Sequence, residues 1–220
     1  MNLLAFELST ERCSVALLED GDVRQLAETG NRPSRRILAM ADELLAGAER
    51  HLAELDAIAF GRGPGAFTGL RIAAGVAQGL AFGAELPVVP VSSLAALAQR
   101  AFEDHGCEQI VAALDARMDE IYAGTYRKGP NGLVQAVCED VLLPPANIEI
   151  PDGEWTGAGP GWLAYPELEK RVSNVFPGVF PDAAAVARLA AVIFANDGGV
   201  APENAIPIYL RDTVAWQKSR

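Results

Sequence analysis

The sequence predicts an α/β chain built as two domains, each a mixed sheet opened by three antiparallel strands with flanking helices. Three observations predict it. Short apolar or alternating runs broken by turn signals open the chain, apolar runs at helical spacing then alternate with further strands, and a second group of three strands follows past the midpoint. At 220 residues the chain suffices for one large domain or for two of about 110, each with its own core.

Asn2 to Leu8, Cys13 to Glu19 and Val23 to Glu28 read as strands, separated by the polar turn "STER" and by "DGD" at Asp20 to Asp22, a hairpin signal. The period then changes. Ile37, Leu38, Ala41, Leu44, Leu45 and Ala48 recur at helical spacing, which predicts an amphipathic helix from an N-cap at Ser34 to Arg50. Leu55 to Phe60 is a strand, Ala66 to Phe82 a helix, Pro87 to Val91 a strand, and Ser92 caps a helix running to about Asp104. Gln109 to Asp115 and Glu120 to Tyr126 form a hairpin around "ARMD", and the turn "KGPNG" leads to a third strand, Leu133 to Val141. A short strand near Glu154 to Gly157, a helix after Gly161 and a helix from Asp182 to about Asn196 complete the chain. The boundary falls near Phe102 to Gly106, giving domains 1–103 and 104–220.

Half of the residues are hydrophobic and 21% are charged, the balance of a globular protein. The net charge of −11 argues against unaided nucleic-acid binding, which needs a surplus of Lys and Arg. An RNA substrate would have to be delivered to a basic partner. The N-terminus has no basic segment and Glu7 breaks its apolar run, so it reads as a strand rather than a signal or anchor. Arg71, Gln78 and Glu85 interrupt the most apolar stretch, so no transmembrane segment is expected and a cytoplasmic location is. Cys13, Cys107 and Cys138 are scattered without a CxxC pair, predicting three free thiols.

The run "FGRGPGAFTGLRIAAGVAQGLAFG", Phe60 to Gly83, raises the sharpest question. Gly61, Gly63 and Ala66 match G-x-G-x-x-A, but three hairpin-linked strands precede them and no acidic residue ends the next strand, so a dinucleotide-binding reading fails. No G-x-x-x-x-G-K-[ST] is present either. Pro64 and its flanking glycines make a tight turn into the helix. Within that helix Thr68, Arg71, Gly75, Gln78 and Phe82 form one line, and Gly75, Gly79 and Gly83 leave a groove without side chains. A mid-helix glycine costs about 1 kcal/mol relative to alanine, so something must approach this helix closely. Internal packing and a second polypeptide both satisfy the pattern.

These segments resemble the TsaB, or YeaZ, family of bacterial tRNA threonylcarbamoyladenosine biosynthesis. The resemblance runs nearly end to end, through "ELSTERCSVAL", "GRGPGAFTGLRIAAGVAQGLA", "ALDARMDEIYAG" and "PIYLRDTVAWQK". It implies two ribonuclease-H-like domains of the actin-like ATPase superfamily. It also implies a non-catalytic scaffold that binds a TsaD-like threonylcarbamoyltransferase, is joined by a TsaE-like ATPase, and meets tRNA only through the complex. The modified base is the adenosine beside the anticodon in tRNAs reading codons that begin with A. The candidate interface comprises Arg36, Met40 and Leu44 of the first helix with Phe67, Leu70, Arg71, Ala74, Gly75, Gln78 and Gly79 of the glycine helix. The same surface serves a homodimer when the partner is absent.

The family usually carries Asp in its first loop where this chain has Glu7, and a methylene's displacement of a carboxylate is enough to lose catalytic positioning. TsaD binds a metal through H-x-x-x-H; here the only histidines, His51 and His105, lie far apart and read as surface residues at helix ends. No catalytic residue, metal or cofactor is expected, and a nucleotide at a subunit interface is left open. Asp115, Arg117, Asp119 and Glu120 read as a solvated hairpin turn. The alternative function is a stand-alone actin-like small-molecule kinase or ATPase.

Overall fold

The computed structural model describes residues 1–30 and 33–211. Strands β1 (Asn2–Glu7), β2 (Arg12–Glu19) and β3 (Asp22–Thr29) form an antiparallel meander. After α1 (Ile37–Gly47), strand β4 (Ala57–Gly61) joins parallel to β1; after α2 (Phe67–Ala84), β5 (Val88–Val91) joins parallel to β4. The first sheet is therefore ordered β3-β2-β1-β4-β5. Helix α3 (Ser93–His105) leads to the second sheet, where β6 (Gln109–Arg117), β7 (Glu120–Lys128) and β8 (Val134–Ala136) repeat the meander. β9 (Val141–Leu143) also pairs with β7, while β10 (Thr156–Ala158) and β11 (Asn174–Phe176) extend the sheet in parallel from β6. Its order, β11-β10-β6-β7-β8, is the first sheet's order again, so the ribonuclease-H-like topology occurs twice.

Strand alternation divides the core into layers, because successive side chains leave opposite faces of a sheet. Leu4, Phe6, Val15 and Leu17 pack under α1 and α2 with Met40, Leu44, Ala73 and Ala77. Leu3, Ala5, Ala16 and Leu18 face the other way, toward α3 and α5 (Ala183–Asp197), and that cluster continues to Ile110, Ala112 and Leu114 of the second sheet. Val111 and Ala113 turn outward again, onto Trp155 and Trp162, the latter in the short helix α4 (Pro160–Ala164).

The proposed division into 1–103 and 104–220 separates the strands of the two sheets, while helices bind them together. α3 packs on β6, and α5 returns to β1 and β2. The N-terminus of α5 is anchored there by side chains: Asp182 accepts from Ala185 N at 2.9 Å and pairs with Arg100 Nε at 3.2 Å, and Ser14 Oγ accepts from Ala183 N at 2.9 Å.

Several element expectations are corrected. Ser34 is no N-cap: a 3-10 turn (Pro33–Arg36) precedes α1, whose N-cap Arg36 makes no side-chain cap bond, and the helix ends at Gly47, not Arg50. The single strand expected over Leu133 to Val141 is broken into β8 and β9, because Asp140 is drawn inward to the hydroxyls of Ser92 and Tyr126. β11 was not foreseen; three residues carry too little periodicity to register. By contrast Ser92 and Asp182 cap α3 and α5 as their residue types predict.

Candidate functional site

The glycines of the Phe60–Gly83 run divide into two sets with opposite surroundings. Gly61 ends β4 beside Glu7, and a Cβ there would sit 1.8 Å from Glu7 Oε2. At Gly65 a Cβ would lie 2.5 Å from the Ser9 carbonyl oxygen, and at Gly69 it would lie 1.9 Å from that of Leu8. The glycine loop thus closes directly on the turn after β1, and Ala66 N donates to Ser9 O at 2.7 Å. The turn's own backbone occupies the loop where a phosphate cradle would have to open.

Gly75, Gly79 and Gly83 meet nothing: a Cβ at any of them finds no atom within 4 Å. All three are exposed. Packing among the described residues therefore does not account for them, which leaves the second-polypeptide alternative as the one that this face favours. The glycine line is flanked at one end by exposed Phe67 and at the other by Phe82, 79% exposed, about 22 Å away along the helix axis. Phe67 is held in place. The Arg71 guanidinium lies 3.9 Å over its ring, Tyr209 packs against it at 5.3 Å between centroids, and Arg71 Nε donates to Tyr209 Oη at 3.3 Å. Gln78 is half-buried and donates to Ala205 O at 3.2 Å, tying α2 to the C-terminal segment.

The other interface residues expected from the sequence lie elsewhere. Met40, Leu44, Leu70 and Ala74 are buried beneath α1 and α2, since their positions face the sheet, and they support the surface without forming it. Arg36 is exposed and pairs with Glu28 and, at 3.9 Å, with Glu43. Phe67, Arg71, Gly75 and Gly79 are the expected residues that share the open face. Sequence reasoning missed Tyr209 from the candidate set; 138 residues separate it from Arg71, and only the fold joins them. Phe82 stood in the helical line already and was recoverable from spacing alone.

Glu7 is 1% exposed, with Oε1 accepting from Ser9 N at 2.5 Å and Oε2 from Ser93 Oγ at 2.9 Å. Burial raises its pKa above the ordinary carboxylate value against the lowering effect of those donors. The folded chain then holds the proton more tightly than the unfolded chain, so this group's contribution to stability falls as pH rises through and above 4.5. Glu7→Gln removes the charge while its amide oxygen still accepts from Ser9 N and its amide NH2 donates to Ser93 Oγ, which then accepts. It is expected to raise stability at pH 7 relative to the parent, with the gain shrinking toward zero as pH falls below 4.5, read by urea unfolding across pH. A gain that grew on acidification would contradict the raised pKa.

No nucleophile is prepared in the same region. Burial pushes the Cys13 thiol up to about 11, and Cys13, Cys107 and Cys138 are all free. His105 stacks on Phe176 with ring centroids 3.8 Å apart, and His51 is an exposed residue preceding a 3-10 turn. The turn between β6 and β7 is exposed at its tip, as expected of a solvated hairpin, and it is also braced from outside. Arg117, Met118 and Asp119 all take positive φ, and Arg211 spans the turn with an ion pair to Glu120 at 2.6 Å and a bond to Ala116 O at 3.0 Å. Among the described residues no three His, Cys, Asp or Glu side chains are grouped to hold a metal ion, and no helix is long and apolar enough to cross a membrane.

Comparison with known proteins gives this geometry a context. A family model for TsaD, tRNA N6-adenosine threonylcarbamoyltransferase, matches residues 27–161. The TsaB proteins of tRNA threonylcarbamoyladenosine biosynthesis from Escherichia coli and Haemophilus influenzae are each 41% identical to the chain. The alignments cover 99% of this chain and 98% and 97% of those proteins. The solved structure of YeaZ from Pseudomonas aeruginosa superposes with a TM-score of 0.90 at 44% identity, covering 95% of this chain and 99% of that one.

Proposed function

The chain belongs to the TsaB, or YeaZ, family, and on that premise we propose that it is a non-catalytic scaffold of tRNA threonylcarbamoyladenosine synthesis that binds a TsaD-like threonylcarbamoyltransferase through the outer face of α2. The observation that carries this reading is the open glycine line. Gly75 and Gly79 sit on the exposed face of their helix, cost it about 1 kcal/mol each and touch nothing among the described residues, so their benefit lies in what docks there. Removing side chains lets a partner helix approach backbone to backbone, with Phe67 and Phe82 as flanking anchors. In isolation a second copy of the chain occupies the same face, and a TsaE-like ATPase joins the pair.

Catalysis is assigned to the partner. The chain has only two histidines, neither grouped with other metal-ligating side chains among the described residues, and its charge of −11 opposes tRNA phosphate. The stand-alone kinase or ATPase reading is weaker because the loop at Gly65 is filled by Ser9 of the same chain. Reconstitution tests the proposal. With tRNA, ATP and the threonylcarbamoyl adenylate supplied, modified adenosine is expected only when the chain and a TsaD-like subunit are both present. Robust modification by the chain alone, or undiminished modification by the partner without it, would overturn the scaffold role.

A further inference from the structure

A cavity of about 850 Å³ lies between the two sheets, within the range of small-molecule sites and remote from the glycine line of α2. Val134, Leu189, Val192, Ile193 and Ile208 give it a largely apolar lining. One polar corner interrupts that lining. There Asp140 is the hub: Ser92 Oγ donates to its Oδ2 at 2.5 Å and the Tyr126 hydroxyl donates to its Oδ1. Both carboxylate oxygens thus have partners inside the protein, and burial keeps the acid's pKa raised.

Arg62 is the contrasting group. It lines the same cavity, where its charge favours the ionised form of Asp140 from beyond contact, and among the described residues no carboxylate lies within ion-pair distance of its guanidinium. Its main chain is fixed on both sides, N donating to Val91 O at 2.8 Å and O accepting from Ile208 N at 2.8 Å. A cation beside an apolar wall is only partly hydrated, and an anion brought with an apolar body satisfies both surfaces. We propose that this cavity is a binding site for a small amphiphilic monoanion, an aliphatic or aromatic body carrying one carboxylate or sulfonate group. Charge sets the limit at one. Among the described residues Arg62 is the one cation on the lining and Glu139 and Asp140 stand against it, so each further negative charge on a ligand is disfavoured, a nucleotide polyphosphate most of all.

The inference is independent of the scaffold reading and is tested on the isolated chain. Anilinonaphthalene sulfonate is titrated by fluorescence and displaced with decanoate, decanol or ATP. The expected result is one saturable site that decanoate empties about tenfold more effectively than decanol, while ATP leaves it occupied. Arg62→Met is expected to weaken both anions about tenfold with the circular dichroism spectrum unchanged, and Arg62→Lys to recover most of the loss. Val192→Trp, which places an indole in the cavity, should block the dye altogether. Equal displacement by decanoate and decanol on the unmodified chain overturns the role of Arg62 without recourse to any variant. Parental dye affinity in Val192→Trp, or displacement by ATP as effective as by decanoate, overturns the site.

Discussion

Gly75→Leu is expected to leave the isolated chain folded while lowering its affinity for a TsaD-like partner by about 100-fold. The two halves of that result follow from one observation. A Cβ at position 75 meets no atom within 4 Å, so the side chain enters solvent and the monomer has nothing to lose. In the complex the leucine lies between two backbones, and overpacking costs typically 1–3 kcal/mol, where every 1.4 kcal/mol is tenfold in affinity. Gly75→Ala separates the effects further. Alanine replaces glycine in an exposed helix interior and should stabilise the isolated chain by about 0.5–1 kcal/mol, since less backbone entropy is lost on folding. Size-exclusion chromatography and calorimetry with the partner, beside urea unfolding of the chain alone, read both quantities. Parental affinity in Gly75→Leu would move the interface off α2, and unfolding of that variant would show that the position is packed internally after all.

The sequence held most of the fold because its strands and helices are separated by strong punctuation. Asp20 to Asp22, Ser92 and Asp182 each mark an element end by a mechanism that the structure reproduces: a hairpin turn, a side chain accepting from Ala95 N, and another accepting from Ala185 N. What resisted reading is what depends on tertiary contact. Asp140 breaks a strand only because Ser92 and Tyr126 stand opposite it, and Tyr209 reaches Phe67 only through the path of the C-terminal segment. The interface set was partly legible for the same reason. Helical spacing placed Arg71, Gly75 and Gly79 on one line, but spacing alone does not say which side of a helix the sheet covers, and Met40, Leu44, Leu70 and Ala74 proved to lie on the covered side.

The glycines at the start of the same run should behave in the opposite sense, and Gly69→Ala is expected to be strongly destabilising although it adds only a methyl group. Its Cβ would lie 1.9 Å from the Leu8 carbonyl oxygen and 3.0 Å from the carbonyl carbon, so the obstacle is main chain at the end of β1. Relief requires α2 to lift from the sheet over Ala73 and Ala77, both fully buried, and the cost is set at about 3 kcal/mol or more. For a chain of this size that is a fall in Tm of about 6–12 °C. Gly61→Ala differs in kind, because there the obstacle is a side chain: the new Cβ would meet Glu7 Oε2 at 1.8 Å. Alone it should displace Glu7 from its bonds with Ser9 and Ser93 and destabilise the fold by several kcal/mol. In a Glu7→Ala background the same substitution should cost little, a coupling that a double-mutant cycle measures directly. Gly69→Ala has no such rescue. A Tm for Gly69→Ala within about 2 °C of the parent, or a Gly61→Ala penalty undiminished by removal of Glu7, would show that the loop does not close on β1 as described.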